Sequence, residues 1–153
     1  MFDFLFGKTE KLNLIKLYDE ALAFADELGL KPAARTSTNK PLHFYVPNIK
    51  CSDGDDDYFM SIYMHRILGE DVPYGISLPK SYRFYKSSGN LSVEHFDFGE
   101  SKLPTDIACT RPAWEKTKNK IRNMHANLMH EYNEQLQALK QLQIFKSQMN
   151  FKV

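Results

Sequence analysis

RPAWEKTKNKIRNMHANLMHEYNEQLQALKQLQIFKSQMNFKV, residues 111–153, holds no glycine, and its one proline, Pro112, stands near its start. A proline in the first turn of a helix costs little, because its missing N–H would have no intrahelical acceptor there. Thr110 is suited to cap such a helix through its hydroxyl. Apolar residues then recur at helical spacing: Trp114, Ile121, Met124, Leu128, Tyr132, Leu136, Leu139 and Leu142. At 3.6 residues per turn they gather on one stripe, the pattern of an amphipathic helix. After Leu142 the pattern drifts, with Ile144, Phe145 and Met149 on other faces. The spacing predicts a helix that is firm as far as residue 142, then a tail that bends or docks elsewhere.

Length makes this helix informative. About 35 helical residues span on the order of 50 Å, whereas a body of about 110 residues has a radius of gyration near 13 Å. One body cannot shelter the whole stripe. Leaving Leu136, Leu139, Leu142 and Phe145 in water forgoes roughly 1.5–3 kcal/mol for each. Leu128, Tyr132, Leu136, Leu139, Leu142 and Phe145 are therefore the candidate interface, for a second copy of the chain or another protein. A helix that folds back on its own domain is the competing expectation. No strict heptad is present, so a regular zipper is not expected.

Composition fits one domain of 153 residues, with 42% hydrophobic and 25% charged residues. Net charge is +1, but it is unevenly spread. Residues 111–153 carry eight Lys/Arg and three Asp/Glu, net +5, which leaves residues 1–110 at −4. The expected organisation is an acidic α+β body, 1–110, with a long basic C-terminal helix, 111–153, continuous with the same domain. No run reaches the eighteen or so apolar residues that a membrane span needs. Met1–Phe6 is apolar but lacks the parts of a secretory signal. The expectation is a cytoplasmic protein with no membrane partner and both cysteines, Cys51 and Cys109, reduced.

In the body, Thr9 to Leu28 reads as a helix with a wide apolar face, ended by Gly29 and Pro32. Lys31 to Lys40 reads as a loop, and Leu42–Val46 as a strand. Tyr58 to Leu68 is apolar all round and reads as a buried helix, with a central strand as the rival, since short apolar runs do not separate the two. Gly69 to Pro79 reads as a loop. Ser81–Lys86 and Leu91–Phe98 around Ser87-Ser-Gly-Asn90 read as a β-hairpin. The fold expectation is α+β: a small antiparallel sheet with a β-hairpin, packed against two or three helices, with the long helix at the C-terminus.

Chemistry is sparse. The seven glycines sit singly, so no phosphate-binding loop is present, and no cofactor is expected. Asp53, Asp55 and Asp57 match the first ligands of a calcium loop, but Tyr58 stands where glycine is required and Met64 where the bidentate glutamate belongs. They are at most weak metal candidates, better read as a helix start or a solvated loop. His95 and Asp97 share a strand face with Val93 and could orient an imidazole for acid–base work, although such pairs are common by chance. Arg111, Lys116, Lys118, Lys120 and Arg122 could meet nucleic acid phosphates, without interleaved aromatics for base stacking beyond Trp114. The leading expectation is an interaction or assembly protein working through its C-terminal helix. The alternative is a nucleic-acid-binding accessory protein using that helix's basic first turns.

Overall fold

The computed structural model describes residues 9–33, 41–51, 58–63 and 73–150. It is richer in strands than the sequence pattern suggests. Two helices, α1 (Leu14–Glu27) and α2 (Arg111–Asn150), accompany eight strands among the described residues. Six strands form one mixed sheet: β2 (Lys31–Pro32), β3 (His43–Tyr45), β4 (Lys50–Cys51), β5 (Met60–Tyr63), β6 (Tyr74–Tyr85) and β7 (Asn90–Ser101). Their order is β2-β3-β5-β6-β7-β4; β4 runs parallel to β7 and every other neighbouring pair is antiparallel. A second, two-stranded sheet joins β1 (Lys11–Leu12) to β8 (Cys109–Thr110). The expectation of a small antiparallel sheet and hairpin on two or three helices is thus overturned.

Three local readings account for the difference. The expected helix from Tyr58 is instead strand at Met60–Tyr63, with Leu42 to Val46 and β6 as its setting. Met60 and Ile62 face the core, and Ser61 points to the opposite face in line with Ser77. Two flanking strands supply every backbone partner, which outweighs the weak helical preference of a short apolar run. Residues 64–72 lie outside the described part. The expected loop from Gly69 to Pro79 is strand from Tyr74 onward. Pro79 is accommodated because the ladder slips between Pro79 and Ser81, and a bulge is where a strand tolerates proline. Finally, α1 begins at Leu14 rather than Thr9: Asn13 caps it by accepting from the Lys16 backbone N–H at 3.1 Å, while Lys11–Leu12 is drawn into pairing with β8.

The bulge also re-aims β7. Before it, Leu91 and Val93 are buried; beyond it, Phe96 and Phe98 pack against the core, so Val93 does not share a fate with His95 and Asp97. One core results. Leu14, Leu17, Tyr18, Ala21, Phe24 and Ala25 of α1 close it from one side, and Ile76, Leu78, Phe84 and Leu91 from the sheet. Trp114, Ile121 and Leu128 of α2 complete it.

Two glycines with positive φ separate strain from packing. Gly89, in the β6–β7 turn, has φ +71° and open space around a notional Cβ; Gly99, in β7, has φ +70°, and a Cβ there would lie 2.7 Å from Ile107 Cγ2. Gly89→Ala should cost about 1 kcal/mol from backbone strain alone. Gly99→Ala adds an overpacking penalty of roughly 1–3 kcal/mol. Urea unfolding of the two variants checks the order; equal losses would mean that the Gly99 contact is relieved by shifts.

Candidate functional site

Helix α2 is continuous from Arg111 to Asn150, 40 residues, with no bend at Leu142. Thr110 is its cap: its hydroxyl accepts from the Ala113 backbone N–H at 3.2 Å. The docked half is fixed at seven-residue intervals. Trp114, Ile121 and Leu128 are all at most 1% exposed. Trp114 meets Phe24 edge-on at 6.1 Å and Phe98 at 5.8 Å between ring centroids. His125 meets Phe59, and Tyr132 meets Phe84, also edge-on. Polar ties end the docked half: Tyr82 donates to Glu131 (3.2 Å), Tyr132 to the Asn48 carbonyl (3.2 Å), and Gln135 Nε2 to the Lys86 carbonyl (2.7 Å). Lys86 closes the β6 end of the hairpin, so the body stops there.

From Leu136 to Met149 every residue is exposed. Leu136, Leu139, Leu142, Ile144, Phe145 and Met149 are 36–58% exposed. Of the expected interface, Leu128 belongs to the chain's own core and Tyr132 packs against it. Leu136, Leu139, Leu142 and Phe145 are exposed and lie outside the core cluster. Where the two halves meet, a groove of about 430 Å³ is lined by Lys86, Glu131, Glu134, Gln135, Ala138, Leu139 and Leu142. Gln135 Oε1 is buried at this junction without a hydrogen-bond partner among the described residues.

A stripe drawn from turn to turn misses one relation. Leu128, Gln135, Leu142 and Met149 are seven residues apart, continuing the register of Trp114 and Ile121. A straight helix drifts only about 20° per seven residues, so the buried seam runs on, past the hairpin, as a bare seam on the same side. The sevenfold spacing was the available signal.

The basic first turns are largely engaged within the chain. Arg111 bonds Glu20 through both terminal nitrogens and Glu10 through Nε at 3.1 Å. Arg122 forks onto Glu27 and reaches Asn119 at 2.7 Å, and its guanidinium lies over the Phe24 ring. The hydrogen bonds from Arg122 hold the Glu27 carboxyl below its usual range. Lys118 pairs with Glu115 at 3.1 Å and sits over Trp114. Lys116 and Lys120 are exposed.

The remaining candidates form no organised site. Across the sheet, His43, Ser61, Ser77 and Asp97 lie side by side by register, with His43 Nδ1 3.1 Å from Ser61 Oγ. Tyr58 stacks on His43, and its carbonyl meets His95 Nε2. Asp97 instead hydrogen-bonds Glu100, which raises the Glu100 carboxyl above its ordinary range. His95 and Asp97 thus have separate partners. Ser61 and Ser77 are at most 8% exposed, and neither offers a reachable nucleophile. Asp53, Asp55 and Asp57 lie outside the described residues, and among the described ones no cluster suited to a metal ion occurs. No described helix is long and apolar enough to cross a membrane. Cys51 and Cys109 sit in different sheets and are not joined; burial pushes the Cys109 thiol up to about 11.

No protein-family model, no curated protein and no solved structure matches this chain.

Two measurements follow from the helix. Leu128→Ala should lose about 2–5 kcal/mol of stability, as for a buried leucine, whereas Leu142→Ala should stay within about 0.5 kcal/mol in dilute solution; denaturant titration compares them. Burial also lowers the His125 pKa. The unfolded chain then binds more protons than the folded one, so stability is full above the unfolded value near 6.5 and falls as pH drops below it. Unfolding midpoints at pH 7.5 and 5.5 should diverge less in His125→Gln than in the parent chain.

Proposed function

We propose that this chain is an interaction protein that docks onto another polypeptide through the outer half of its C-terminal helix. The single observation that carries this is the helix's division at Gln135: Trp114, Ile121 and Leu128 before it are built into the core, whereas Leu136, Leu139, Leu142, Ile144, Phe145 and Met149 after it are 36–58% exposed. Monomeric proteins rarely leave a contiguous apolar patch of this kind uncovered, and larger ones mark interaction sites. An amphipathic helix offering anchors at three- and four-residue spacing is a recurrent way of meeting a partner. Nucleic-acid binding through Arg111, Lys116, Lys118, Lys120 and Arg122 draws less support, because three of the five cations already face carboxylates.

The test is a chain ending at Gln135. If the outer half serves a partner and not the fold, this shortened chain should melt within about 2 °C of the full chain, measured at a concentration low enough that association adds no stability. A drop above about 5 °C would show that the outer half supports its own body, and would overturn the reading.

A further inference from the structure

Resting on that reading, we infer that the occupant of the outer half is a second copy of the same chain, lying antiparallel, with its Phe145 seated in the groove beside Gln135. Three features point to this. The first is steric. The bare seam of Leu142 and Met149 continues the seam that packs on the body, so it faces the side on which the body lies. Two copies joined in parallel through this seam would bring two bodies to the same place. Antiparallel copies put each outer half alongside the other, past the end of the opposite hairpin, and the contact closes on itself around a twofold axis.

The second is charge. Residues 135–153 contain Lys140, Lys146 and Lys152 and no acidic residue, whereas the groove carries Glu131 and Glu134. Setting Ala138 level with the second copy's Leu142 places Gln135 level with Phe145, Glu134 with Lys146 and Glu131 with Met149. An aromatic anchor then fills a pocket, as at the centre of strong interfaces. The lysine beside it reaches two carboxylates and can donate to the orphaned Gln135 Oε1. Parallel copies would instead align like charges. The third is area. Burying about five half-exposed apolar side chains on each copy removes on the order of 1,000 Å² in total, the lower bound for a specific interface. A dimer of micromolar strength fits that figure.

Cysteine trapping tests it, in a Cys51→Ser background; Cys109 is buried and its raised pKa keeps it out of reaction. Beyond that background the trapping pair changes only Ala138 and Leu142, and both are exposed, so folding is not at risk. A mixture of full-length Ala138→Cys and Leu142→Cys chains should be joined by a short bismaleimide. Met149→Cys chains alone should not, because antiparallel overlap holds those positions about 27 Å apart. In addition, Lys146→Glu should weaken dimerisation roughly tenfold and Glu134→Lys in the same chain should restore it. Efficient joining of Met149→Cys to itself would overturn the antiparallel arrangement. A monomeric mass at about 100 µM, a concentration well above a micromolar Kd, with no joining at any position, would overturn the second copy as occupant. Neither result touches the proposal that the outer half docks on a polypeptide, which stands or falls with the chain ending at Gln135.

Discussion

The placement of the long helix hangs on three of its side chains, Trp114, Ile121 and Leu128, all buried in the one core, with Trp114 between Phe24 of α1 and Phe98 of the sheet. The three are fully buried and are spaced so that one line along α2 meets the body three times. The ion pairs around them look conspicuous, but Arg111, Glu20, Arg122 and Glu27 are all partly exposed. Pairs of that kind are worth at most about 1 kcal/mol each, against roughly 1.5–3 kcal/mol for each large apolar side chain buried. Burial therefore fixes the helix in place. The arginines favour its direction and rotation, since Glu20 and Glu27 stand along α1 and Glu10 just before β1, where this placement brings Arg111 and Arg122 to them.

The parts of the fold that were legible in the sequence are those where local preference and tertiary context agree. Thr110 with Pro112 announces a helix start, and the absence of glycine afterwards announces its length. Ser87-Ser-Gly-Asn90 announces a turn because Gly89 must take a positive φ there. What was illegible is where context prevails. Met60–Tyr63 has no strand pattern of its own, since its polar residue, Ser61, is nearly buried. Pro79 looks like a terminator and becomes a strand residue because the ladder slips beside it. The two-residue strands β1 and β8 bring together segments about a hundred residues apart, and no local signal can encode that pairing.

The candidate site shows the same division. That Leu136, Leu139, Leu142 and Phe145 lack shelter followed from length alone. That Leu128 and Tyr132 are claimed by the body did not, because hydrophobicity marks a residue as needing cover without saying which surface supplies it. Nor could the pairing of Arg111 with Glu20, 91 residues earlier, be read from a cluster of positive charge. Counting cations overstates what a surface offers when the acids that neutralise them arrive from another element.

Gln135 marks the change of role within α2, and its chemistry suits that place. An isolated helix of about 15 residues is marginal in water, because nucleation is costly while elongation is not. The outer half avoids the nucleation step, since its first turn grows from a helix already held by the core. Ala138, Leu139, Lys140, Gln141 and Leu142 are good helix formers, so elongation proceeds without tertiary contacts. The result is a preformed surface, and under the proposed function such preorganisation would leave little further backbone entropy to lose on binding. The outer residues are not part of the core cluster, so their side chains are not constrained by the body's packing. The turns that carry the body's stability and the turns left exposed thus belong to one continuous helix, and under the proposed function the exposed turns are the ones that would answer to a partner.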